Sequence, residues 1–497
     1  MNCLMGSCCP CEDYMKTKPS IKTNFIMNSI LTVSTFIFPL ITFPYVSRIL
    51  LPAGTGKVQF ATSLISYFAM FANLGIPTYG IRACAKVRDD REALTRTAHE
   101  LLLINLMMSV FAYAALAIAL IIIPKLQEER TLYIVVSISI LLGTIGMEWL
   151  YKALEQYTYI TIRSVVFKLI ALIAMFLLIH SESDYVIYGG ISIFAASASN
   201  ILNLVNAHKY IGFKPVGKYD LRRHIKPIAI FFAMACATTI YTNLDNIMLG
   251  FMTTDVDVGY YGAAVKIKTI LVSVVTSLGT VLLPRASYYV EQGKMQEFRR
   301  ITQKALNFVV LLALPLSVYF IIYAKEGIFL LSGSAYEGSV VPMQVIMPTL
   351  LLIGITNILG IQILVPTGRE KMVLYSEIAG AVVDIIINAI LIPRMQSVGA
   401  AIGTLIAEAV VLIVQYRALR NEVTDSIRKI HYGNICVGVI LAIVASLWIK
   451  AMHWGSFISL ACSAILFFGV YGLFLLFRKE PLVTEIGSQV LKKIKKR

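Results

Sequence analysis

A small set of ionisable side chains sits inside stretches that are otherwise apolar: Glu148, Lys168, Asp245, Lys266, Lys268, Glu377, Asp384 and Glu408. A charge at the centre of a membrane-spanning helix costs about 2.5–3.5 kcal/mol on insertion scales, so such residues face a bundle interior and do work there. Glu377, Asp384 and Asn388 follow one another at spacings of seven and four, which puts all three on one helix face. Glu408 lies near mid-depth in the next stretch. Asp384 and Glu408 could share a proton, because close carboxylates do not both ionise freely. Asp384, Glu408 and Glu377 are therefore a candidate coupling-ion or proton site; the alternative is that they satisfy each other and nearby Asn or Thr as packing contacts. Lys266 lies about 10 Å from the outer end of its stretch at 1.5 Å per residue. Asp245 has a similar depth in the stretch before, so the two could pair across a helical hairpin. Lys266 and Lys268 point to nearly opposite faces; Lys266 reads as facing a cavity and Lys268 as snorkelling to the surface, as does Lys168. Arg82 follows Gly75-Ile-Pro-Thr-Tyr-Gly80, where Gly and Pro should break the helix and present backbone dipoles to a ligand. Arg82 also fits an ordinary inner-loop cation, and Arg48 is one of the few outer ones.

These residues must be positioned by membrane helices. About fourteen apolar stretches of about 20 residues run along the chain, each long enough to span a bilayer. The alternate connecting segments that include the N-terminal tail carry about 34 of the 44 Lys and Arg residues, and the others about 7. Cytoplasmic loops hold the excess of Lys and Arg, so both termini are expected in the cytoplasm. The net charge of +16 then reflects membrane orientation rather than nucleic-acid binding. Charged residues make up only 14% and mean hydropathy is +0.76, which excludes an ordinary soluble domain. No loop is long enough for a soluble catalytic domain. No phosphate-cradling, zinc or nucleophile-elbow motif appears, so neither an enzyme nor a cofactor is expected. Residues 1–24 lack the apolar core of a secretory signal. Cys3, Cys8, Cys9 and Cys11 cluster there without metal-site spacing, and Cys84, Cys236, Cys436 and Cys462 behave as small apolar residues.

The chain reads as a cytoplasmic tail (1–24), an N-terminal six-helix bundle (25–224), a C-terminal six-helix bundle (225–421), and two further helices with a basic tail (422–497). The first outer turn, Arg48 to Gly56, resembles the turn from Ile247 to Gly259. Repeating six spans preserves orientation, which gives two bundles related by a pseudo-two-fold axis along the membrane normal.

Several motifs carry a family resemblance over about residues 20–420. They are Pro39-Leu-Ile-Thr-Phe-Pro-Tyr-Val-Ser-Arg-Ile-Leu, Asn73-Leu-Gly-Ile-Pro-Thr-Tyr-Gly-Ile-Arg82 and Glu148-Trp-Leu-Tyr-Lys-Ala-Leu-Glu155. Leu244-Asp-Asn-Ile-Met-Leu-Gly250, Val258-Gly-Tyr-Tyr261 through Lys266, and Gly399-Ala-Ala-Ile-Gly-Thr-Leu-Ile-Ala-Glu408 add to them. The chain resembles the oligosaccharide flippases of bacterial surface-polysaccharide synthesis (Wzx or RfbX type), within the multidrug/oligosaccharidyl-lipid/polysaccharide exporter superfamily. Leu51 departs from it, where many relatives carry Gly before the Pro.

The resemblance implies an all-α, MATE-like integral membrane fold and transport by alternating access. It implies an undecaprenyl-diphosphate-linked oligosaccharide moved from the inner to the outer leaflet of the cytoplasmic membrane, for O-antigen, capsule or exopolysaccharide. A polysaccharide polymerase and a chain-length regulator are implied as partners. A diphosphate needs cations in a hydrated cavity, which makes Lys266, Arg82 and Arg48 the candidate contacts, with Asp245 orienting Lys266. Arg grips phosphate bidentately and Lys acts as a point charge. A multidrug antiporter of the same fold is the first alternative, but its cavity would favour acidic residues. A flippase for a peptidoglycan or teichoic acid precursor is the second, and charge does not separate it because the lipid diphosphate is shared.

Overall fold

The computed structural model describes residues 21–452 and 454–484. The clustered cysteines of the N-terminal tail, His453 and the basic run after Thr484 lie outside them. Cys84, Cys236, Cys436 and Cys462 are free thiols.

Every described element is helical, as hydrocarbon demands of a backbone that can hydrogen-bond only within itself. Ten helices are long and apolar enough to cross a membrane, or eleven if Ser334–Ile346 and Thr349–Leu364, bent by 47°, form one broken crossing. Two helical stretches are too long for one crossing. Helix α1 (Ile21–Asn73) has 53 residues, about 80 Å of rod against about 30 Å of hydrocarbon. It turns back at Leu51 (φ 54°, ψ 179°), directly before Pro52, because proline bars the preceding residue from helical geometry. The 59-residue stretch Glu370–Arg428 turns back at Gln396 (φ 52°), between Pro393 and Gly399. Each is two crossings joined by a tight turn. With the shorter apolar helix Arg130–Gly146, the expected architecture of about fourteen crossings is present.

Packing groups the chain into two units. In the first, which runs to Thr42 and resumes over Ala61–Thr239, the core gathers Ile76, Leu94, Leu101, Trp149, Leu150 and Ile228. The second joins Phe43–Phe60 to the chain from Ile240 onward. Its core is built on Met295–Ile322, with Val309, Tyr319 and Tyr323 packed among Leu359, Leu419 and Phe467. The C-terminal helices Tyr432–Leu447 and Ser456–Phe477 pack on each other and on this core. Helix α2 (Arg222–Met252) passes from the first unit to the second.

Within the second unit the two outer turns that look alike in sequence touch through their glycines. A Cβ on Gly56 would lie 1.8 Å from the Asp255 carbonyl oxygen, and one on Gly259 would lie 2.0 Å from the Pro52 carbonyl oxygen. The backbones meet only because both side chains are absent. The carbonyl freed by the Leu51 break is recovered by buried Tyr336, whose hydroxyl donates to it at 3.0 Å and pairs with the Thr55 hydroxyl at 2.7 Å. Arg48 closes the same corner. Its guanidinium donates to the Leu330 carbonyl at 2.6 Å, to that of Phe329 at 3.3 Å, and to that of Pro44.

Gly259→Ala should therefore destabilise the protein by about 1–3 kcal/mol or more through overpacking, read as a lower melting temperature in detergent. Gly143→Ala, with nothing within 4 Å, should leave it unchanged. Leu51→Gly should hold or raise the melting temperature despite losing a large side chain, because a left-handed leucine costs about 1–2 kcal/mol; a clear drop would show that leucine packing outweighs the backbone cost.

Candidate functional site

The second unit holds a buried polar cluster at the meeting of α2, the following helix Asp255–Glu291, and both crossings of Glu370–Arg428. At its centre is the Asp245 carboxylate. Oδ1 accepts from the Asn388 amide at 2.7 Å, and Oδ2 accepts from the Thr404 hydroxyl at 2.9 Å and from the Tyr261 hydroxyl. The Tyr261 and Thr404 hydroxyl oxygens lie 2.8 Å apart. All four residues are buried. Gly403 lets the last crossing approach, since a Cβ there would lie 2.1 Å from Asn388 Oδ1 and 3.0 Å from Asp384 Oδ1. Those two oxygens are buried and have no hydrogen-bond donor among the described residues. The Asp384 carboxyl lies beside that of Asp245. Two carboxyls and an amide oxygen are thus crowded together, and close carboxylates do not both ionise freely. No three His, Cys or carboxyl groups converge as a metal centre among the described residues.

This arrangement corrects three expectations. Asp245 pairs with Tyr261, Asn388 and Thr404 and not with Lys266, because equal depth on two helices does not make them face each other. The immediate carboxyl neighbour of Asp384 is Asp245, and Glu408 acts on it from farther away. Glu408 instead faces the Tyr241 hydroxyl, with Glu377 also near it. Lys268, expected to snorkel, is half-buried and within Coulombic reach of both Asp384 and Glu408, so it offsets part of the cluster's negative charge.

Lys266 stands apart. Its ammonium lies over the Phe43 ring, 5.0 Å from the centroid, and among the described residues it has no carboxylate within ion-pair distance. A cation on an aromatic face in a membrane helix is only partly compensated. Arg48, by contrast, is engaged by backbone carbonyls, which makes it a structural clamp.

In the first unit Arg82 is exposed on the short helix Ile76–Ala85. The break before it is real, with Leu74 at φ 46° and Gly75 at φ 74°. Gly75 also lies against the backbone of Phe231 and Phe232. Arg82 has no carboxylate partner among the described residues. The intramembrane charges Glu148 and Lys168 of this unit have partners. Glu148 binds Lys152 at 2.8 Å and Arg163 at 3.3 Å, and Lys168 donates to the Ser34 hydroxyl at 2.8 Å. Arg163 is nearly fully buried and also donates to Ser199 at 2.6 Å and Asn200 at 3.0 Å. Glu100, fully buried, accepts from Arg223, from His224 at 2.8 Å and from the Asp220 backbone at 2.8 Å, and Tyr79 bonds the other face of His224 at 2.8 Å. Sequence reasoning missed Arg163 and Glu100 because both sit at the margin of their apolar stretches. It missed Tyr261 because a tyrosine inside a familiar motif carries no charge signal.

Comparison with known proteins identifies the group to which this architecture belongs. Residues 21–290 match the family described as polysaccharide biosynthesis protein. The chain belongs to that family. Residues 229–390 of this polysaccharide biosynthesis protein also match the MatE family. It is 23% identical over 407 residues to a protein of Escherichia coli (strain K12) named "Putative O-antigen transporter", covering 82% of this chain and 98% of that one. A protein of the same name from Shigella dysenteriae is 24% identical over 412 residues, covering 80% and 100%. Among solved structures it resembles "Lipid II flippase MurJ, inward closed conformation", with a TM-score of 0.69, 15% identity, and coverage of 92% of this chain and all of that one. The fold is thus the expected MATE-like fold, in the Wzx-type flippase family.

Asp245→Ala would strip the acceptor from three donors at once. It should cost about 2–4 kcal/mol of stability, seen as a lower melting temperature, whereas Asp245→Asn should recover most of that loss.

Proposed function

We propose that the protein flips undecaprenyl-diphosphate-linked oligosaccharides from the inner to the outer leaflet of the bacterial cytoplasmic membrane, by alternating access, with both termini in the cytoplasm. The observation that carries the reading is Lys266: a half-buried ammonium inside a membrane helix, resting on Phe43 and without a carboxylate. A cation left uncompensated at that depth calls for an anionic ligand, and a diphosphate is an anion that has to cross the bilayer. Arg82, exposed and unpaired by any carboxylate at a broken helix end, is the second contact. Arg48 is withdrawn from the list because its guanidinium is committed to the Pro44, Phe329 and Leu330 carbonyls. The named O-antigen transporters and the lipid II flippase fold support the substrate class. The Asp245–Asp384–Asn388 cluster is proposed as the coupling site for a proton or a monovalent cation, with Glu408 and Glu377 tuning its charge and Lys268 balancing it. Surface-polysaccharide polymerase and chain-length regulator proteins are the proposed partners.

The test is complementation of surface glycan in a host lacking this protein. Lys266→Ala should reduce polymer at least tenfold while membrane abundance stays at the wild-type level, and Lys266→Arg should retain most of it. Full polymer from Lys266→Ala would remove Lys266 from the account.

A further inference from the structure

Away from these sites, the second unit contains a pocket of about 410 Å³ lined by Arg300, Lys304, Asn307, Lys429, His431 and Glu480, with Ile430 and Leu482 at its apolar edge. Arg300 and Lys304 are one turn apart on Met295–Ile322, so they project from one face; both are exposed, as is Lys429. The carboxylate of Glu480 is almost completely buried and already committed: His431 Nδ1 lies 3.0 Å from it and the Asn307 amide donates to it at 3.3 Å. The exposed cations Arg300 and Lys429 thus stand beside a buried carboxylate that His431 and Asn307 already engage. His431 is also the N-cap of Tyr432–Leu447 and makes no side-chain capping bond, so the positive end of that helix adds to the same field. All of these residues come from segments that the Lys and Arg bias assigns to the cytoplasmic side, at the level where headgroups begin.

We propose that this pocket binds the phosphate headgroup of an anionic inner-leaflet phospholipid. The inference rests on the orientation proposed above and not on the transported substrate. Basic pockets between membrane helices on the cytoplasmic side take such headgroups, and each surface cation adds enough attraction to change retention about fivefold. Leu482, half-buried at the edge of the pocket, offers an apolar contact for an acyl chain. The pocket ties the start of Met295–Ile322 to the first residues of the terminal helix pair, so a bound lipid would hold that pair on the second unit's core.

The test is retention of cardiolipin and of phosphatidylglycerol by the purified full chain, read by native mass spectrometry with phosphatidylethanolamine as the neutral comparison. Arg300→Gln with Lys429→Gln should cut retention of both anionic lipids more than tenfold. Lys214→Gln with Lys218→Gln, the same charge loss in the first unit, should leave retention within twofold. Equal loss from both double variants, or no loss from the first, would overturn the proposal. Displacement of the lipid by millimolar inorganic phosphate would overturn it too, in favour of a soluble anion. Because the readout is lipid retention, failure here leaves the flippase reading standing, and failure of transport leaves this result standing.

Discussion

Hydrocarbon offers a polar group no partner, so every buried polar atom in this protein has to find one within the chain. The break at Leu51 frees a carbonyl, and Tyr336 takes it. The end of Ala324–Ser332 exposes carbonyls, and Arg48 takes those. Asp245 satisfies three donors from three different helical segments. In the first unit Arg163 holds Glu148, Ser199 and Asn200 together, and Glu100 does the same for Arg223, His224 and the Asp220 backbone. These networks make the positions of helices interdependent, because removing one partner leaves a buried group unpaired at a cost of about 1–3 kcal/mol or more.

The rule is left incomplete at several buried polar atoms among the described residues, two of them beside Asp245. Asp384 and Asn388 each keep an oxygen without a donor, beside the Asp245 carboxylate. Lys266 keeps its charge against an aromatic ring. A proton or cation would complete the first and an anion the second. These two sites share the helix Asp255–Glu291, which supplies Tyr261 to one and Lys266 to the other, five residues apart. In the proposed alternating-access cycle, occupancy of one site would act on the helix that bears the other.

Much of this was legible from residue types. Apolar runs described the crossings, and the Gly75–Gly80 segment and the outer turn from Arg48 to Gly56 marked where the chain breaks. That Asp384 and Asn388 share one helix face followed from a four-residue spacing. Partners across helices did not follow, because depth along a helix says nothing about rotation around it. Asp245 and Lys266 are matched in depth yet face different neighbours. Neutral groups that complete a charged cluster, Tyr261 and Thr404 above all, give no signal in a search for charges. Leu51 is the converse: a departure from the glycine of many relatives, at a position where the backbone does adopt the left-handed turn that glycine prefers.

The most direct measurement is the leaflet distribution of lipid-linked glycans in a host deleted for this protein. The account predicts that an undecaprenyl-diphosphate oligosaccharide accumulates in the inner leaflet while the surface polymer is lost. An unchanged glycan pool, accompanied by new sensitivity to cationic drugs, would contradict it and place the protein among the antiporters of the same fold.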